Sequence, residues 1–159
     1  MPRALVETIH AHHLGLLRAL DEVERLVRAS TTSRELTAAI EAVRRMLLAH
    51  ELTAERFLVG PLRHQHLLDD RELDALRAEI DQLSEDAVRL SSGEPDAAAA
   101  AAFVRDARHH IGRRTRAIAP AARAAAAEGR LPAVPRWYVE EAYGQQGDLE
   151  ARPPEEWLG

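Results

Sequence analysis

The eight histidines of this 159-residue chain gather at a few places: His10, His12 and His13; His50; His64 and His66; His109 and His110. Glu51 adjoins His50, and Glu55 follows about one helical turn later. Arg114 stands one turn after His110. Imidazoles that face inward from neighbouring helices, with carboxylates a turn away, have two chemical uses. They hold a transition metal, or they exchange protons near neutral pH. A single inward histidine is ordinarily a hydrogen-bonded structural residue. His13, His50 and His110, on three different segments at matching depth, point to one shared site. Arg114 admits two placements. Turned inward, its guanidinium pairs in bidentate fashion with Glu51 or Glu55; turned outward, it makes an ordinary surface ion pair. His64 and His66 follow Pro61 and read as a solvated pair in a connection.

Such a site needs helices to position it, and the apolar spacing supplies them. Helix one spans about 3–29, with Leu5, Ile9, His13, Leu16, Leu20, Val23 and Val27 on its inner face. Thr32 and Glu35 form a capping box for helix two. That helix carries Leu36, Ile40, Val43, Leu47, His50, Ala54 and Phe57 and is expected to stop near Gly60-Pro61. Helix three holds Leu73, Leu76, Ile80, Leu83, Ala87 and Leu90. Asp96 is suited to cap helix four, whose inner row is Phe103, Ala107, His110, Arg114 and Ala117. Pro120 should kink or end it, with an Ala-rich piece closing at Gly129. Four amphipathic segments with short connections predict an all-α, antiparallel four-helix bundle over residues 1–129.

In these motifs the chain resembles the hemerythrin-like (HHE cation-binding) domain family, over about Leu5 to Ala122. That family has a His in its first helix and a His-x-x-x-Glu with an apolar patch and Pro in its second. A His in the third helix and another His-x-x-x-Glu ending in Pro in the fourth complete the pattern. Here the matching stretches are Ala11-His12-His13-Leu14, His50-Glu51-Leu52-Thr53-Ala54-Glu55 running to Pro61, and His110-Ile111-Gly112-Arg113-Arg114 followed by Pro120. The resemblance implies the same bundle and a non-heme di-iron centre. The departures fall on that centre. Arg114 stands at a carboxylate position, and Ile80 replaces a His within Leu76-Arg77-Ala78-Glu79-Ile80-Asp81. In helix two, one register keeps Glu55 and puts Glu51 at the His position. The other keeps His50 and puts Ala54 at the carboxylate position. An apolar Ile80 and a cationic Arg114 disfavour a full di-iron pair, since a second buried cation beside iron is costly.

Composition narrows the chemistry further. There is no Cys, which removes thiol nucleophiles, Fe–S clusters and zinc–thiolate sites. All 21 basic residues are Arg, so Schiff-base chemistry through lysine is excluded. That bias, with abundant Ala, matches a GC-rich bacterial genome. The net charge of −5 and the scattered basic residues argue against nucleic acid. No apolar run approaches the roughly 20 residues that span a bilayer, so no membrane partner and a cytoplasmic location are expected. Residues 130–159 differ in kind, with Trp137, Tyr138, Tyr143 and Trp157 among four prolines. This tail is expected to lie back on the bundle, to form a homo-oligomer interface, or to serve as a lid or docking strip.

The leading expectation is a repurposed hemerythrin-like bundle that binds a small anionic organic molecule and does metal-independent acid–base chemistry. His13, His110, Glu55 and Arg114 are its acting groups; His50, Glu51, Ile80 and Phe57 line its binding surface. The alternative is a reduced, mononuclear non-heme iron site of His13, Glu51, Glu55 and His110 that binds or senses oxygen, nitric oxide or iron. A structural or docking bundle is the third reading.

Overall fold

The computed structural model describes residues 2–132, and for residues 2–8 and 10 the backbone alone. Every regular element among them is helical: α1 (Pro2–Arg28), α2 (Ser33–Ala54), a π-helical turn (Glu55–Val59), α3 (Gly60–His64), α4 (Asp70–Ser91) and α5 (Ala97–Ala127). No helix of the described residues is long and apolar enough to cross a membrane.

The helix ends have local causes. Thr32 Oγ1 accepts the Glu35 N–H at 3.4 Å and donates to Glu35 Oε2 at 3.2 Å, which starts α2. Asp69 accepts from Arg71 N at 2.9 Å, and Asp96 accepts from Ala98 N and Ala99 N at 3.1 and 3.3 Å. These acceptors satisfy first-turn donors that have no partner within the helix. After α1, α3 and α5 the chain turns through positive φ at Ser30, His66 and Gly129. The carbonyls of Leu26, Leu62 and Ala125 are then capped by the N–H five residues on.

Helix two does not stop at Gly60-Pro61, as its sequence led one to expect. It widens into the π turn and continues as α3 to His64. Pro61 has no N–H to give, and its ring would press on the carbonyl four residues back in a regular helix. The wider turn accommodates both problems: Gly60 N–H bonds Glu55 O, five residues back. Gly60 suits this place because a Cβ there would come within 2.9 Å of Glu55 O. Pro120 likewise does not end α5, which runs on to Ala127. The helix beyond it is anchored by the buried Ala122 and Ala125.

In packing, α1 lies against α2 and α5, α2 against α4, and α4 against α5. The core has two apolar clusters. The upper holds Leu16, Leu20, Val23, Ile40, Val43, Leu47, Leu83 and Phe103 among others. The lower holds Ile9, Leu58, Val59, Leu62, Ile118, Ala122, Ala125 and Leu131. Burying a side chain such as Leu16, Leu20 or Leu47 stabilises the fold by about 1.5–3 kcal/mol. The break between the clusters falls at His12-His13 on α1, His50-Glu51 on α2, Glu79 on α4, and His110 with Arg114 on α5. At its end the described chain folds back: Leu131 joins the lower cluster, and Arg130 exchanges hydrogen bonds with Gln65 at 2.9 and 3.2 Å. The four aromatic residues of the tail lie outside the described residues.

Candidate functional site

The polar layer is built from pairs of adjacent residues that straddle a helix's inner face. Consecutive residues on an α-helix point about 100° apart, so His50 and Glu51 are both turned inward, to different neighbours. His50 faces α1, where the His13 ring lies 4.6 Å away between centroids and the His12 ring 6.0 Å away, edge-on. Glu51 faces α5. His50 and Glu51 thus both face inward, each to a different helix.

His50 is 2% exposed, and neither of its ring nitrogens hydrogen-bonds a described residue. Burial is the first cause that pushes its imidazole well below its ordinary pKa. The charges of His13, Arg114, His12 and His110 add to it. The neutral imidazole is therefore the form this pocket accepts.

On the α5 side, Glu51 Oε1 forms an ion pair with Arg114, 2.9 Å from its Nε, and lies 3.3 Å from His110 Nε2. The His110 Nδ1 atom lies 3.0 Å from Glu79 Oε2, and Arg113 pairs with Glu79 Oε1. The result is a chain of polar contacts, Arg114–Glu51–His110–Glu79–Arg113, from the interior towards the α4 surface. Both imidazole nitrogens of His110 face carboxylate oxygens. A ring carrying both protons, or a proton held on one carboxylate, satisfies both contacts. Glu79 was not singled out from the sequence, although it stands beside Ile80. Its signal is phase: it lies three residues after Leu76 and four before Leu83, on the inner row of α4.

Two cavities open on Arg114. The smaller, about 40 Å³, is lined by Ile9, His13, Leu58, Thr115, Ile118 and Arg123, with Ala119 and Ala122. No carboxylate lines it among the described residues. The larger, about 300 Å³, is an open groove along α2, the π turn, α4 and α5. Its wall includes Glu51, Glu55, Arg63, Arg77 and the buried Ile80. Arg114, 6% exposed, is the charged residue common to both.

The other residues singled out from sequence are dispersed. Glu55 lies on the groove wall, partly exposed, 3.6 Å from Arg77. His110 lines neither of these cavities and acts on them only through Glu51. Phe57 does not line them either; it is half-buried beside the lower cluster, with Arg56 5.4 Å over its ring. The wide turn explains this. Its extra residue shifts the phase after Ala54, so Leu58 and Val59 take the inward places that a regular helix gives Phe57. His64 ends α3 and His66 follows in the turn, both exposed.

Non-heme iron, the cofactor implied by the resemblance, does not suit this donor set. The His13 and His50 rings meet at a tilt, Glu51 contacts both His110 and Arg114, and Glu55 turns to Arg77. Among the described residues no three His, Asp or Glu side chains converge on a point that could hold a metal. The Arg114 guanidinium, paired with Glu51 in the same layer, would repel a dication held beside it. No protein-family model, no curated protein and no solved structure matches the chain.

Proposed function

We propose that this protein is a small-molecule-binding helical bundle whose buried charged layer receives an organic anion without a metal. The observation that carries the reading is the placement of Arg114. A guanidinium withdrawn from water, on the wall of a cavity with His13, Thr115 and Arg123 and, among the described residues, no carboxylate, is arranged to hold negative charge. His13 is the wall imidazole positioned to exchange a proton with such a ligand. In this reading the fold is a hemerythrin-like bundle with ligand positions replaced: Arg114 and Ile80 occupy space that a metal's partners would fill. An antiparallel arrangement is part of the same proposal. Its support is the order in which the helices meet the two clusters: lower then upper for α1 and α4, upper then lower for α5 and for α2 with its continuation through the π turn and α3.

The test is a thermal-shift series with the full chain, using acetate, propionate, benzoate, phosphate and the neutral propionamide. A saturable rise in Tm with an organic anion, absent for propionamide and lost in Arg114→Leu, is the expected result. No saturable response to any anion would overturn the reading.

A further inference from the structure

Arg114 is held by one edge only. Its Nε lies 2.9 Å from Glu51 Oε1, and that is its one ion pair among the described residues. A guanidinium has a second pair of parallel donors, on its two terminal nitrogens, and these match the two oxygens of a carboxylate. Glu51 therefore orients Arg114 and offsets its charge without occupying the edge best shaped for a ligand.

The smaller cavity sets the rest of the ligand. A water-sized group needs about 10–15 Å³ of such space, so about 40 Å³ admits roughly three. That is enough for a carboxylate and a chain of about one to three carbons. The walls beside Arg114 are Ile9, Leu58, Ile118, Ala119 and Ala122, which favour an alkyl body. An aromatic ring exceeds the space.

We propose that this cavity is a binding site for a short-chain aliphatic monocarboxylate, gripped in bidentate fashion by the terminal nitrogens of Arg114 while Glu51 holds Nε. This rests on the anion-binding reading above and narrows it to one ligand class. Glu51 is a positioning residue in this account, and it also moderates affinity. Its negative charge lies on the same guanidinium as the incoming carboxylate, so removing that charge while keeping an acceptor should tighten binding.

The experiment is isothermal titration of the full chain with sodium propionate, and in parallel with benzoate, inorganic phosphate and propionamide. The expected result is one saturable propionate site, with benzoate and propionamide each weaker by at least about tenfold. Glu51→Gln should bind propionate about three- to tenfold more tightly, since a side chain of the same shape stays beside Nε without the competing negative charge. Arg114→Lys keeps the charge but loses the fork, and should weaken binding by at least about tenfold. The ligand comparison uses the unaltered protein, so the proposal stays testable if a variant fails to fold. Saturation by benzoate or phosphate but not propionate would overturn the short-chain assignment and leave the anion reading standing. Propionate binding unchanged in both folded variants would overturn the role of Arg114. No saturation by any anion would overturn both.

Discussion

Arg114→Met is the most informative single change to stability. The variant removes a guanidinium that is 7% exposed in its side chain from a carboxylate, Glu51, that is 20% exposed. Leaving one member of a buried pair behind costs about 3–5 kcal/mol. Glu51 keeps some contact with water and still has His110 at 3.3 Å, so the low end applies, about 3 kcal/mol. For a chain of this size that corresponds to a fall in Tm of roughly 6–12 °C. Replacing both residues, Arg114→Met with Glu51→Met, removes the stranded charge and should recover most of the loss. The double-mutant cycle should then give a coupling of about 2–3 kcal/mol. Urea unfolding followed by circular dichroism measures all four proteins, with a shifted midpoint and an unchanged slope as the sign of a true stability change. If Arg114→Met costs under about 1 kcal/mol and the two changes add within about 0.5 kcal/mol, the pair is not an interior one and the reasoning fails.

Three further outcomes follow from particular contacts. The unfolded chain protonates His50 near pH 6.5 while burial keeps the folded imidazole neutral. The unfolded state thus binds the extra proton, and stability falls as pH drops below that value by up to about 1.4 kcal/mol per unit for this one group. His50→Leu should remove that share of the slope, and equal slopes between pH 7.5 and 5.5 in urea melts would contradict it. Gly60→Ala should destabilise by about 1–3 kcal/mol because its Cβ meets Glu55 O at 2.9 Å. Gly112→Ala meets only the movable Arg116 side chain at 3.4 Å and should stabilise by about 0.5–1 kcal/mol; thermal melts showing the same sign for both would refute the wide-turn account. Asp96→Ala should cost about 1 kcal/mol by stranding the first N–H groups of α5, and no change in its urea midpoint would refute the cap.

Four helices, their starts at Thr32 and Asp96, and the inner rows through Leu16, Leu47, Leu83 and Phe103 were legible in the sequence. Apolar spacing and capping are local, and local rules act on the chain before it folds. The depth of His13, His50 and His110 was legible for the same reason, since rise per residue is fixed. The end of helix two was misjudged because Pro61 has two outcomes, a stop or a widened turn. Packing of Leu58, Val59 and Leu62 into the lower cluster is what favours the second. The displacement of Phe57 follows from that turn and could not be read without it.

What the sequence determined by itself is therefore the set of charged and imidazole groups and the helical level at which each sits. Which groups bond was decided by tertiary structure. Glu51 and Glu55 are equal candidates on paper, but the packing of α2 and α5 on their shared neighbours α1 and α4 brings Glu51 to Arg114, while Glu55, beyond the last regular turn, faces Arg77. Glu79 enters the layer because α4 packs against α5 and sets it 3.0 Å from His110. Spacing along one helix fixes only a level and a direction; bonding over about 3 Å also requires the distance and rotation between two helices, and those are set by the packing of the whole core.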